Sequence, residues 1–185
     1  MTRSTPILVV LLSLLGGCAM RTEERALAVG GVHALEGTEP CRLTQVEPAS
    51  ALEDLHWKDA LVVRARGEGH AELACGSHRA RLRIVKPDRL DLVLVDDHVT
   101  VGQRFQVRAT ARDAAGHELE IGKWTEIAWR GDGGVAPDQD RSAGEFGLGG
   151  GSFGVHGFKA ATTAPGTIEA RLGEAVGTLH VTARP

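Results

Sequence analysis

The sequence predicts an all-β protein: two small antiparallel β-sandwich domains behind an export segment. Three observations carry this. Apolar and polar residues alternate with period two along much of the chain, and no sustained helical stripe appears. Short apolar runs recur about every 8–12 residues between turn signals, the rhythm of an antiparallel sandwich. Glycine is abundant at 24 residues, while aromatics make up 4% and tyrosine is absent.

The first element is the segment MTRSTPILVVLLSLLGGCAM. Arg3 gives a positive start, Ile7 to Leu15 form an apolar run, and Gly16 and Gly17 lead into Cys18. That is the layout of a secretory signal with a small-residue cleavage site. The run is shorter than the ~20 residues a membrane span needs. Leu15-Gly16-Gly17-Cys18 resembles the lipobox of bacterial lipoproteins. The resemblance implies cleavage before Cys18, a diacylglycerol thioether on its sulfur and an acylated N-terminus. It implies a cell-envelope location, and Ala19 after the cysteine favours the outer membrane. Residues 1–17 are then the signal and 18–26, rich in charge, a lipidated tether.

Removing the signal leaves about 168 residues, enough for one ordinary domain or two small ones. A formal charge of −3 and a pI near 6.2 give no global pull toward nucleic acid or anionic membrane. Scarce aromatics exclude large stacking platforms for sugars or bases. With Cys18 lipidated, Cys41 and Cys75 remain as a pair, and an oxidising compartment favours a disulfide between them. The alternative is a metal site built from Cys41, Cys75, His70 and His78, with irregular ligand spacing.

The clearest structural element is a hairpin over Ala71 to Val85. Ala71, Leu73 and Cys75 face one way, Gly76-Ser77 supplies a two-residue turn with glycine first, and Ala80, Leu82 and Ile84 alternate with Arg79, Arg81 and Arg83. The turn sets Leu73 opposite Ala80 and Glu72 opposite Arg81. Earlier strands are expected at Leu27 to Leu35 and Leu43 to Val46. Lys86-Pro87-Asp88 breaks the strand and divides a first domain, 27–86, from a second, 87–185. In the second, strands are expected at Leu90 to Val95, Val99 to Val101 and Phe105 to Ala111. Asp113 to Gly116 is a turn, a strand ends at Ile127 and Trp129, and residues 131–157 are loop-rich. A closing hairpin pairs Thr167–Leu172 with Thr178–Ala183 around Gly173-Glu174.

The order of these pieces resembles bacterial immunoglobulin-like domains of the Big family. The matching segments are Val99-Thr100-Val101-Gly102-Gln103, Phe105 to Ala111, Asp113 to Gly116, Ile127-Ala128-Trp129, Val135-Ala136, Ala164 to Ala170 and the terminal Thr178 to Thr182. The glycine-rich insert 144–157 departs from that pattern, and residues 27–86 look like a degraded second copy. The resemblance implies adhesion or a structural role in the envelope rather than chemistry.

Motifs suggestive of catalysis lack their context. Gly150-Gly151-Ser152-Phe153-Gly154 spells a nucleophile elbow without the α/β surroundings, and Gly149, Gly151 and Gly154 spell a dinucleotide fingerprint without a flanking strand and helix. Arg130-Gly131-Asp132 spells an adhesion tripeptide in an expected loop. Asp132, Asp138, Asp140 and Glu145 could offer oxygen ligands to calcium but lack the spacing of a calcium loop. The eight histidines form no zinc-enzyme pattern. No catalytic residue, cofactor or metal is expected.

A basic stripe is the candidate binding feature. Arg79, Arg81 and Arg83 share one strand face, and Arg64 and Arg66 alternate in the preceding segment. If those strands are neighbours, five guanidinium groups line one sheet surface suited to phosphate or carboxylate oxygens. The expectation is a non-catalytic, lipid-anchored binding or structural module. The alternative is an envelope assembly factor binding anionic glycolipid such as lipopolysaccharide, a polysaccharide or an acidic envelope protein.

Overall fold

A computed structural model describes residues 21–35, 40–55, 60–122, 124–138 and 154–185. Cys18 with the signal segment, Asp140, Glu145 and the glycine-rich run through Ser152 lie outside the described residues.

Two β-sandwiches follow one another. The first joins a four-stranded sheet, in the order β1 (Arg21–Ala28), β7 (His78–Val85), β6 (Gly69–Cys75), β3 (Cys41–Glu47), to a three-stranded sheet. The latter holds β2 (Val32–Leu35), β5 (Leu61–Ala65) and β4 (Leu52–Asp54). Between them lie Leu27, Leu61, Val63, Leu73, Leu82 and Ile84, all nearly or wholly buried.

The second sandwich has a sheet built on β9 (Arg104–Arg112). It pairs with β8 (Arg89–Leu94), β10 (Glu118–Leu119) and β13 (Val155–Ala160), and β13 carries β12 (Val135–Pro137). Facing it are β11 (Ala128–Gly133), β14 (Gly166–Leu172) and β15 (Ala175–Val181). Phe105, Val107, Phe158, Ile168 and Leu172 fill the space between.

The β6–β7 hairpin has the expected register, Leu73 against Ala80 and Glu72 against Arg81. Gly76 takes φ 57° at the turn, the left-handed region that glycine enters without Cβ strain. The closing hairpin β14–β15 also forms around Gly173-Glu174.

Three expectations are corrected. The charged residues from Arg21 are not a free tether but strand β1, in parallel register with β7 from Arg21–His78 to Ala28–Val85. Thr22 to Arg25 are exposed, so no apolar alternation announces it; backbone hydrogen bonds hold a charged edge strand of the kind that discourages further sheet pairing. It is also a parallel pair in an otherwise antiparallel sandwich. Val99 to Val101 is not a strand: Thr100 makes one isolated bridge, to Arg184. Finally, Trp129 is the second residue of its strand rather than the end of one, and β11 continues through Arg130-Gly131-Asp132 paired with Glu169 to Thr167 of β14.

β1 serves both sandwiches. Leu27 lies in the first core, while Ala28, with Ala26 packed beside it, lies in the second. The backbone is stitched across as well: Ala28 N donates to Glu120 O at 2.9 Å, Glu120 N to Ala26 O at 2.7 Å and Val32 N to Ile121 O at 3.1 Å.

Candidate functional site

The five arginines of the expected stripe separate onto two sheets. Arg79, Arg81 and Arg83 share the exposed outer face of β7. Arg64 lies on β5 in the opposite sheet, within 3.9 Å of Glu53 and of Glu126, and Arg66 just beyond it pairs with Glu53. The chain crosses from one sheet to the other between Ala65 and Gly69, so strands that are neighbours in sequence are not neighbours in the sheet. Local alternation reports which residues share a face of a strand but not which sheet the strand joins.

The face around β7 is graded in charge. The register sets three rows across β1, β7, β6 and β3. The row nearest the start of β1 reads Thr22, Arg79, Ala74, Arg42. The next reads Glu24, Arg81, Glu72, Gln45, with Arg81 Nε donating to Glu72 Oε1 at 2.8 Å. The last reads Ala26, Arg83, His70, Glu47. Only the first row has two cations and no carboxylate, and no ion pair to Arg42 or Arg79 is present among the described residues.

Cys41 and Cys75 are disulfide-bonded directly opposite each other on β3 and β6, as expected, 34 positions apart in sequence. The metal alternative fails, because bonded sulfurs are not thiolate ligands. His78 sits beside the pair, but His70 lies at the far end of β6 opposite Glu47. Among the described residues no group of three metal-ligating side chains converges. Of the acidic residues considered for calcium, Asp132 accepts from Gly133 N at 2.7 Å, and Asp138 is buried against Arg104 at 2.8 Å.

A polar cluster that the sequence reading missed sits where the sandwiches meet. His33 Nδ1 lies 2.9 Å from Glu120 Oε1, and Arg25 Nη1 lies 3.6 Å from Glu120 Oε2. The His33 side chain is 8% exposed, and its Nε2 is buried without a hydrogen-bond partner. Burial alone would push the Glu120 carboxyl up. The hydrogen bond from His33 and the electrostatic pull of His33 and Arg25 outweigh it and hold the carboxyl below its ordinary range. Thr125 Oγ1 accepts from Val32 N at 3.0 Å beside them. The available signal is one polar residue inside each of two apolar runs, Val32-His33-Ala34 and Leu119-Glu120-Ile121.

At the far side of the second sandwich, Trp129 stacks on His156 with ring centroids 5.3 Å apart and an interplanar angle of 12°. Phe158 meets both rings edge-on. Burial holds the His156 imidazole below its usual pKa, partly opposed by the Asp138 charge, so the ring is neutral in this packing. This arrangement closes the gap between β11 and β13 and is built as core rather than as a binding platform.

No protein-family model matches the chain, and no curated protein matches it. Among solved structures it is similar to domains 5–6 of the S-layer protein SbsC, at 14% identity over 86% of this chain and 92% of that one, with a TM-score of 0.36. It is also similar to the Escherichia coli adhesin FdeC, at 14% identity over 86% and 61%, TM-score 0.34. A third is the bacterial integrin-binding protein invasin, at 10% identity over 84% and 32%, TM-score 0.37. Likenesses this distant carry no argument about partners; the two-sandwich architecture rests on the strands described above. Among the described residues no helix is long and apolar enough to cross a membrane.

Proposed function

We propose that this chain is a non-catalytic cell-envelope protein, anchored by lipid on Cys18, whose two immunoglobulin-like sandwiches act as one structural unit holding a binding surface at a fixed distance from the membrane. The observation that carries the reading is the junction. A strand shared by two cores, backbone hydrogen bonds across the boundary and the part-buried His33–Glu120 pair remove the free hinge that a flexible linker would supply. Inter-domain motion is the default where such contacts are few.

The lipid anchor is supported by the lipobox-like Leu15 to Cys18 and by the short distance in sequence from Cys18 to β1. The outer membrane is the favoured location. The five arginines form no single anion face, since Arg64 on β5 and Arg66 just after it lie on the other sheet from Arg79, Arg81 and Arg83.

Two measurements test the proposal. Growth with an alkyne-tagged fatty acid labels the wild-type protein and not Cys18→Ala; labelling of both, or of neither, removes the anchor reading. NMR relaxation of the intact mature protein gives one rotational correlation time for amides of both sandwiches. Two distinct times would show independent domains and overturn the structural-unit reading.

A further inference from the structure

We propose that the outer face of the first sandwich at the start of β1 and β7, centred on Arg79 and Arg42, docks on the head groups of an anionic phospholipid bilayer. The proposal rests on the lipid anchor at Cys18. It adds which surface of the protein meets the membrane.

Connectivity makes the argument. β1 begins at Arg21 and pairs in parallel with β7, whose partner for Arg21 is His78. The anchored end of the chain therefore coincides with the β6–β7 turn and with the row Thr22, Arg79, Ala74, Arg42. Thr22 stands four positions after Cys18, a reach of at most about 14 Å when fully extended. An antiparallel β1 would have placed the anchor at the other end of the sheet, beside Arg83, His70 and Glu47. The lipid and Arg79 are thus kept within roughly two Debye lengths of each other, and Arg42 lies two strands farther across the sheet.

Charge agrees with connectivity. Arg42, His78 and Arg79 are exposed, and the row carries two arginines and no carboxylate. Among the described residues of this face, carboxylates enter only in the rows farther from the anchor, as Glu24 and Glu72 around Arg81 and as Glu47 beyond Arg83. Guanidinium groups pair with phosphate oxygens through parallel N–H donors, and an unpaired arginine has those donors to offer. Lipid insertion supplies the attachment; the arginines set the orientation of the sandwich against the surface.

The test uses the mature, lipidated protein in nanodiscs, either phosphatidylcholine alone or containing phosphatidylglycerol, with a gadolinium-chelating lipid as a relaxation probe. Mass spectrometry of the N-terminal peptide first establishes lipidation. With phosphatidylglycerol present, amide signals of Ser77 to Arg79 and of Arg42 should broaden, while those of Glu47, Arg83 and the second sandwich stay sharp. The double variant Arg42→Gln/Arg79→Gln, at exposed positions, should lower the docked-to-undocked ratio about thirtyfold at low salt, the effect of removing two cations from an anionic surface. Glu36 and Glu39, in the segment joining β2 to β3, stay unchanged in both proteins. A lipidated protein broadened equally in both lipids, broadened elsewhere, or unaffected by the double variant overturns the docking surface and leaves the anchor intact. An unmodified N-terminus removes both.

Discussion

Leu27 and Ala28 are neighbours on β1, both fully buried, and each belongs to a different hydrophobic core. Successive side chains of a strand point to opposite faces, and here each face meets its own sandwich. Cooperative unfolding of the whole protein follows. Leu27→Ala should cost about 3 kcal/mol, the usual loss for a buried leucine that leaves a cavity. Urea denaturation should show one transition moved to lower denaturant for both sandwiches. Two resolved transitions would show that the shared strand does not couple them.

Gly122 fixes the approach of the second sandwich to β2. It has φ 67°, and a Cβ there would overlap the carbonyl oxygen of Val32. Gly122→Ala therefore meets both backbone strain and a clash that no rotamer relieves. A loss of about 3 kcal/mol is expected. Gly67→Ala, where a Cβ meets open space, is the control and should change stability by less than about 1 kcal/mol. Thermal denaturation of the two variants makes the comparison.

The disulfide closes a loop between residues 34 positions apart in a sandwich with a small core. In the loop-entropy account, replacing Cys41 and Cys75 together by serine removes about 4 kcal/mol. Denaturation with and without a phosphine reductant should give matching losses in the wild-type protein and none in the double variant.

Acid should weaken the fold in two stages. His156 is depressed from its ordinary 6.5 by burial, so the unfolded chain binds that proton more readily. Stability is complete above about pH 6.5 and falls as pH drops below it, until the folded ring is itself protonated. Glu120 is depressed from its ordinary 4.5 against the opposing effect of its burial. Its contribution is present above that value and is lost as pH falls through the lower folded value. His156→Phe should flatten the first stage and Glu120→Gln the second, measured by urea midpoints from neutral pH to about pH 2.5. Unchanged profiles in both variants would remove these two groups from the pH response.

The β6–β7 hairpin was fully legible because alternation and a two-residue glycine turn together fix both register and facing. Legibility failed where structure depends on partners distant in sequence. β1 carries charge on both faces over its first residues and is a strand only because β7 offers it a hydrogen-bonding edge. Arg64 and Arg79 follow the same local pattern yet join different sheets, a difference set by the crossing at Arg66 to Glu68. β11 runs through two glycines at an exposed edge, so it shows neither the propensity nor the period of a strand. His33 and Glu120 are 87 residues apart, and only the fold brings them together.

The parallel pairing of β1 with β7 has a mechanical consequence. Tension entering at Arg21 and leaving through Val85 pulls the two strands in opposite directions along their length. The ladder between them is loaded in shear, its hydrogen bonds resisting together rather than opening one after another. The stitch at Ala28 and Glu120 offers a second route straight into the other sandwich, so strands β2 to β6 lie off the line of force. A protein tethered at its N-terminus would transmit a pull between membrane and partner while most of its first sandwich stays unstressed.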